Sequence, residues 1–218
     1  MAYFCNDVDL MAWEPGIFFE TAFAHQTLMK DAPATVAGTT LTATAETLAA
    51  AGIAPGMVAR LTGATNELTQ LAEIVSIDGA GAITISALRG RSTEQPAPPL
   101  IQGSVTLAVV SFRPQIAAVG DGLLARVGVT CDRETDAATP AYGDLAGFGP
   151  ACIWGTLAAI FRTLCDAKSA TNITYSKKSF YDGLAQAAAE TLSATIDRDG
   201  DGVAETRVLA ASAMPERA

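Results

Sequence analysis

Three stretches of different hydrophobic periodicity follow one another along the chain. From Asn6 to Leu28, apolar residues at Val8, Leu10, Met11, Ile17, Phe18, Ala22 and Phe23 recur at helical spacing. Pro15 divides this run, because proline is accepted early in a helix and not in its middle. The pattern predicts a short helix from Asp7, a break over residues 14–16 and a second helix through Phe23. From Thr35 the runs become short and rich in threonine and valine: TVAGTTLTAT, MVARLTG, LAEIVSI, AITISAL and SVTLAVVSF. Alternation bounded by turn residues predicts antiparallel strands, with Asp78-Gly79-Ala80-Gly81 as a hairpin turn that uses glycine's freedom at positive φ. Residues 47–52 read as one helical turn, and residues 86–104 as a long proline-rich loop.

At Pro114 the period returns to 3.6. Ile116, Val119, Leu123, Leu124 and Val127 form a helical stripe that Gly128 ends. Gly120 and Gly122 cost this helix about 1 kcal/mol each against alanine unless a close neighbour needs the room. Residues 131–150 read as loop. Residues 151–168 place Ile153, Trp154, Leu157, Ile160, Phe161, Leu164 and Cys165 on one broad face, a candidate for burial against both a core and a neighbouring subunit. A last helix is predicted over 176–196, with Ser179 and Asp182 at capping-box spacing. The expectation is an α+β chain: a small helical bundle with an inserted antiparallel β barrel or sandwich. The regions are 1–34 and 113–196 for the helical core, 35–112 for the insertion, and 197–218 for an acidic turn and tail.

Composition adjusts this picture in two ways. Half the residues are apolar but only 6% are aromatic, so alanine supplies helix propensity and close contact rather than bulk, and burial between subunits would supplement the core. The net charge of -9 is spread along the chain without a basic cluster, which opposes adhesion to nucleic acid. Such a chain suits the lining of a channel through which DNA slides, and equally any soluble protein. The start, MAYFCNDVDLMAWEPG, has no basic flank and reads as no export signal. No uninterrupted apolar run of spanning length is read in the chain, so no membrane partner is expected. Cys5, Cys131, Cys152 and Cys165 lack metal-ligand spacing and read as reduced thiols.

Signatures of catalysis are absent from the sequence: no nucleophile elbow, P-loop or dinucleotide fingerprint occurs. His25 is the one histidine; any metal site would have to be built from carboxylates or thiols, and His25, the sole imidazole that could activate a cysteine, reads as structural. Asp132, Asp136 and Asp144 read as a solvated acidic loop rather than a two-metal site. The expectation is therefore no enzyme. One motif carries sharper chemistry. In Asp197-Arg198-Asp199-Gly200-Asp201-Gly202-Val203-Ala204-Glu205, carboxylates at the first, third and fifth positions, the Val203 carbonyl and Glu205 match the opening ligands of a calcium loop. The twelfth position of an EF-hand falls on Val208, which offers no carboxylate. The alternative is an acidic turn joining the last helix to the tail.

The stretches NDVDLMAWEPGIF, TVAGTTLTAT, FRPQIAAVGDGLLARVGV and SKKSFYDGLAQAAAETLSATIDRDGDGVAETRVLAA together resemble head-to-tail connector proteins of the adaptor class in tailed phages. The resemblance implies a protomer repeated around a ring in the neck of the virion, made in the host cytoplasm. Such a ring docks on the portal above and on a tail or stopper protein below, and DNA passes through it without sequence-specific binding. It implies no active site, and a tail from Thr206 to Ala218 that docks through Val208, Leu209 and Met214, by adding a strand to an existing sheet. Two other readings stand beside it: another virion component, for head completion, tail completion or decoration, or a calcium-binding surface module.

Overall fold

The computed structural model describes residues 4–43, 48, 51–65, 68–132, 138–139, 141–167, 172–197 and 199–209. The chain forms two compact units, Asn6–Phe112 and the combination of Met1–Cys5 with Arg113–Ala218. The α+β class holds, and the β region is a closed barrel rather than a sandwich. Residues 6–34 fold with the barrel, not with the later helices as expected.

In the first unit, helix α1 (Asp7–Trp13) opens with a reciprocal cap: Asp9 N–H donates to Asn6 Oδ1 at 3.1 Å and Asn6 N–H to Asp9 Oδ2 at 2.8 Å. The second helix expected through Phe23 is replaced by two 3-10 turns, Pro15–Phe19 and Thr21–Gln26. These tight turns let Ile17, Phe18 and Phe23 all face inward, and the rings of Phe18 and Phe23 meet Phe112 edge-on at 5.3 and 5.2 Å. Asp7 is buried. Its carboxylate accepts Ser111 Oγ–H at 2.7 Å and Phe112 N–H at 2.8 Å, fixing the start of α1 to the end of the barrel.

Six strands close the barrel: β1 (Thr27–Ala37), β2 (Thr40–Ala43), β3 (Val58–Gly63), β4 (Thr69–Ile77), β5 (Ala82–Ser86) and β6 (Gly103–Val110). They run in the order β1-β2-β5-β4-β3-β6, antiparallel throughout, and β6 returns to β1. Closure removes every sheet edge. Alternate side chains fill the interior, among them Val36, Leu41, Leu61, Ile74, Ile83, Ile85, Leu107 and Val109. At the 78–81 turn, neither glycine adopts positive φ. Asp78 holds the turn instead, accepting Ser76 Oγ–H at 2.7 Å and Thr84 Oγ1–H at 2.6 Å, while Gly81 lies so close to the Ala43 carbonyl that a Cβ would stand 3.2 Å from it. Of the helical turn expected over 47–52, residues 47, 49 and 50 lie outside the described residues.

The second unit contains α2 (Arg113–Arg126), α3 (Phe148–Ala167) and α4 (Asn172–Glu190). Gly128, at φ 81°, terminates α2 as expected, and Val129 N–H closes back on the Leu124 carbonyl at 3.0 Å. The close approach between helices is at Gly155 of α3, where a Cβ would stand 2.9 Å from Val119 Cγ1, whereas Gly122 faces open space. By length and composition alone, Phe148–Cys165 would suffice to cross a membrane, but half of it is buried, with α3 packed on α2 and α4.

Residues 131–150 are not a simple loop. They contain the paired β7 (Thr130–Cys131) and β8 (Ala138–Thr139), then β9 (Tyr142–Ala146). The helix predicted to reach Ile196 ends at Glu190, and Ser193–Ile196 is instead strand β10. Ser179 and Asp182 consequently lie inside α4, which starts at Asn172, and form no cap. Asp182 pairs with Arg162 at 3.1 Å and with Lys178 at 3.8 Å. The closing strand β11 (Thr206–Leu209) completes a three-stranded sheet in the order β11-β10-β9.

Candidate metal centre

The acidic motif sits at the tip of a β-hairpin. Ile196 at the end of β10 pairs with Thr206 at the start of β11, so the described residues 197 and 199–205 belong to a hairpin loop and not to a link between helix and tail. Its flanks are strands, which sets it apart from the helix–loop–helix of an EF-hand. Val208 and Leu209 lie on β11 opposite Ala194 and Ser193. This chain's own sheet thus already holds the strand, with Leu209 exposed and Val208 half-buried. Met214 lies outside the described residues.

Local hydrogen bonds fold the carboxylates toward one centre. Asp197 is buried; its Oδ1 accepts Gly200 N–H at 2.7 Å and its Oδ2 accepts Gly202 N–H at 2.8 Å. Asp199 Oδ1 accepts Asp201 N–H at 3.2 Å, and Asp201 Oδ1 accepts Val203 N–H at 2.7 Å. Gly200 and Gly202 stand at φ 81° and 88°, conformations that a side chain would strain. The loop and the end of β10 are braced by β9 and the residue before it: Asp197 N–H donates to the Ala141 carbonyl at 2.9 Å and Asp144 N–H to Thr195 Oγ1 of β10 at 2.7 Å. Gly143 passes so close that a Cβ would stand 2.8 Å from Thr195 Oγ1 and 3.1 Å from Ala204 Cβ.

Asp197, Asp199, Asp201 and Glu205 each offer an oxygen, all four within 4.8 Å of one another. This cluster could hold a metal ion. Among the described residues it is the one group of His, Cys, Asp and Glu so disposed. The Asp197 carboxyl is held below its ordinary value, chiefly by the Gly202 N–H, with burial opposing. It is therefore ionised and ready for a cation at neutral pH. Hard carboxylate oxygens suit hard divalent ions.

The other candidate groups do not converge in this way. His25 is exposed on the second 3-10 turn; Asp132 and Asp144 are exposed, and Asp136 is outside the described residues. The sequence reading missed the meeting of Cys5 with Cys152, whose sulfurs lie 3.3 Å apart. No local spacing signals a contact between positions so remote in the chain.

Comparison with protein families, with curated proteins and with solved structures finds no match.

Proposed function

We propose that this chain is a structural protein of a tailed-phage particle, the protomer of a head-to-tail adaptor ring beneath the portal. Its partners are copies of itself, the portal, and a tail or stopper protein, with DNA passing through the ring. The observation that carries this reading is the outward apolar surface of the second unit. Ile173, Tyr175 and Phe180 on α4 and Leu209 on the edge strand β11 are all more than half exposed and so open to contact with another subunit. The broad face of α3 packs on α2 and α4, with Ile153, Trp154 and Cys165 only partly buried, and the large outward positions are on α4. A ring needs a heterologous contact, one face of each subunit against a different face of the next, and an edge strand offers unpaired backbone for strand addition. The diffuse charge of -9 suits passage of DNA without adhesion. No catalysis is assigned.

The same reading takes calcium as the ion of the β10–β11 loop, with Asp197, Asp199, Asp201, Glu205 and the Val203 carbonyl as ligands. Calcium accepts such mixed oxygen sets at flexible geometry, and would fix the hairpin from which β11 presents its edge.

The test uses the full chain and the portal protein encoded with it. Co-sedimentation should show the chain bound to portal rings, and Phe180→Asp or Leu209→Asp should weaken binding about tenfold or more with an unchanged far-UV spectrum. Absence of association, or variants that bind like the parent, would reject the adaptor role.

A further inference from the structure

The strongest unexplained arrangement is the meeting of the chain's start with α3. The ring of Phe4 packs at a tilt against that of Phe148, the first residue of α3, with their centroids 4.9 Å apart. Cys5 follows, buried, and its thiol donates to Cys152 Sγ at 3.3 Å. Cys152 is wholly enclosed, and its sulfur also lies 3.7 Å from the Ile116 carbonyl of α2. Both residues are thiols here. A disulfide requires the sulfurs at about 2.05 Å, so a shift of about 1.3 Å closes the bond, within reach of side-chain adjustment.

We propose that Cys5 and Cys152 are a disulfide-forming pair that locks the chain's first residues onto α3 when the protein meets a low-molecular-weight disulfide such as oxidised glutathione. One cysteine thiolate attacks a sulfur of oxidised glutathione and expels one glutathione. The second thiolate then attacks the protein sulfur of the mixed disulfide and expels the other. The pair loses two protons and two electrons, and one glutathione disulfide becomes two glutathiones. The hydrogen bond from Cys5 lowers the Cys152 thiol below its ordinary value against the opposing effect of burial, which favours thiolate at Cys152 for the closing attack.

The bond would join residues 147 positions apart, and the covalent loop so closed contains the whole Asn6–Phe112 unit. Closing so long a loop restricts the unfolded chain more than the folded one. The bridge stands on this geometry whether or not the chain is a virion component. For a particle assembled in a reducing cytoplasm and released into an oxidising medium, it would form after assembly.

The experiment incubates the full chain, as wild type and as the Cys131→Ser/Cys165→Ser variant, with oxidised glutathione or with dithiothreitol. Intact mass and a non-reducing peptide map are then read. The expected result is a loss of about 2 Da, two hydrogens per bridge, in the variant. A peptide linking Cys5 to Cys152 should appear in both proteins, and oxidised samples should melt several degrees higher. Cys5→Ser should abolish the linked peptide. Should the double variant fail to fold, the wild-type map carries the same reading. Cys5 and Cys152 both remaining open to alkylation after oxidation and denaturation, or carrying glutathione without a bond to each other, would overturn the proposal.

Discussion

Replacing Asp7 by alanine tests how the first unit is held together. The carboxylate is 1% exposed and accepts two hydrogen bonds, from Ser111 Oγ and Phe112 N–H. Hydrogen bonds to a charged group contribute about 1.5–3 kcal/mol each, and a buried donor left alone costs its desolvation. The two bonds end on the two oxygens of one carboxylate, so their losses do not add fully, and relief of carboxylate burial offsets part; about 3 kcal/mol is expected. Asp7→Asn keeps an oxygen for the Phe112 N–H and should lose about half as much. The chain's two tryptophans make the assay selective, because Trp13 belongs to the Asn6–Phe112 unit and Trp154 to the other. In a Trp154→Phe background, urea unfolding followed by tryptophan fluorescence reports the barrel unit. At a slope of about 2 kcal/mol per molar, Asp7→Ala should lower the midpoint by about 1.5 M. A midpoint within about 0.3 M of the parent would refute the claim that this carboxylate ties α1 to the end of β6.

Arg89→Ala should destabilise the same unit by about 3 kcal/mol, since Glu73 would lose a two-pronged partner at a site where both side chains are over nine-tenths buried. Arg89 also holds the carbonyls of Ser92 and Glu94, so protease cleavage within residues 87–102 should quicken, and an unchanged cleavage rate would count against that anchoring. Gly143→Ala forces a Cβ against Thr195 Oγ1 and Ala204; overpacking should cost about 1–3 kcal/mol and, at the proposed calcium site, weaken binding about tenfold. Thermal unfolding and calorimetric titration read the two effects, and parent-like values in both would deny that β9 braces the loop. The folded-state value of Asp197 lies below its ordinary 3.8, so its stabilising contribution is complete above about pH 4 and is lost as pH falls through the depressed value. Acid titration of the fold should therefore be less steep in Asp197→Asn, and an identical profile would remove Asp197 as a contributor.

The parts of the fold that were legible in sequence are those whose signal is local. Strands β2 to β6 alternate Val, Leu and Ile with polar positions because one face fills the barrel, and that period survives in any context. Strand β1 begins eight residues before the alternating pattern does, because Lys30, Asp31 and Pro33 break that pattern; its register shifts twice between Thr27 and Ala32, with Asp31 at φ 51°. Residues 193–196 were read as helix because the preceding alanines favour it, whereas pairing with β9 and β11 decides the outcome. Tyr142–Ala146 carries a glycine and an aspartate that suggest loop, and only its remote partner makes it a strand. The acidic motif was legible because its ligands lie within nine consecutive positions; its hairpin setting was not, since it depends on β10. The carboxylates that hold tertiary structure, Asp7 and Glu73, carry no local mark.

Imaging of intact particles at side-chain resolution tests the central claim most directly. An adaptor protomer should appear as a closed ring of this chain directly beneath the portal, with Ile173, Phe180 and the β11 edge covered by neighbouring subunits or by the portal. Density for the chain elsewhere in the particle, none at all, or a ring that leaves α4 and β11 facing solvent would contradict it.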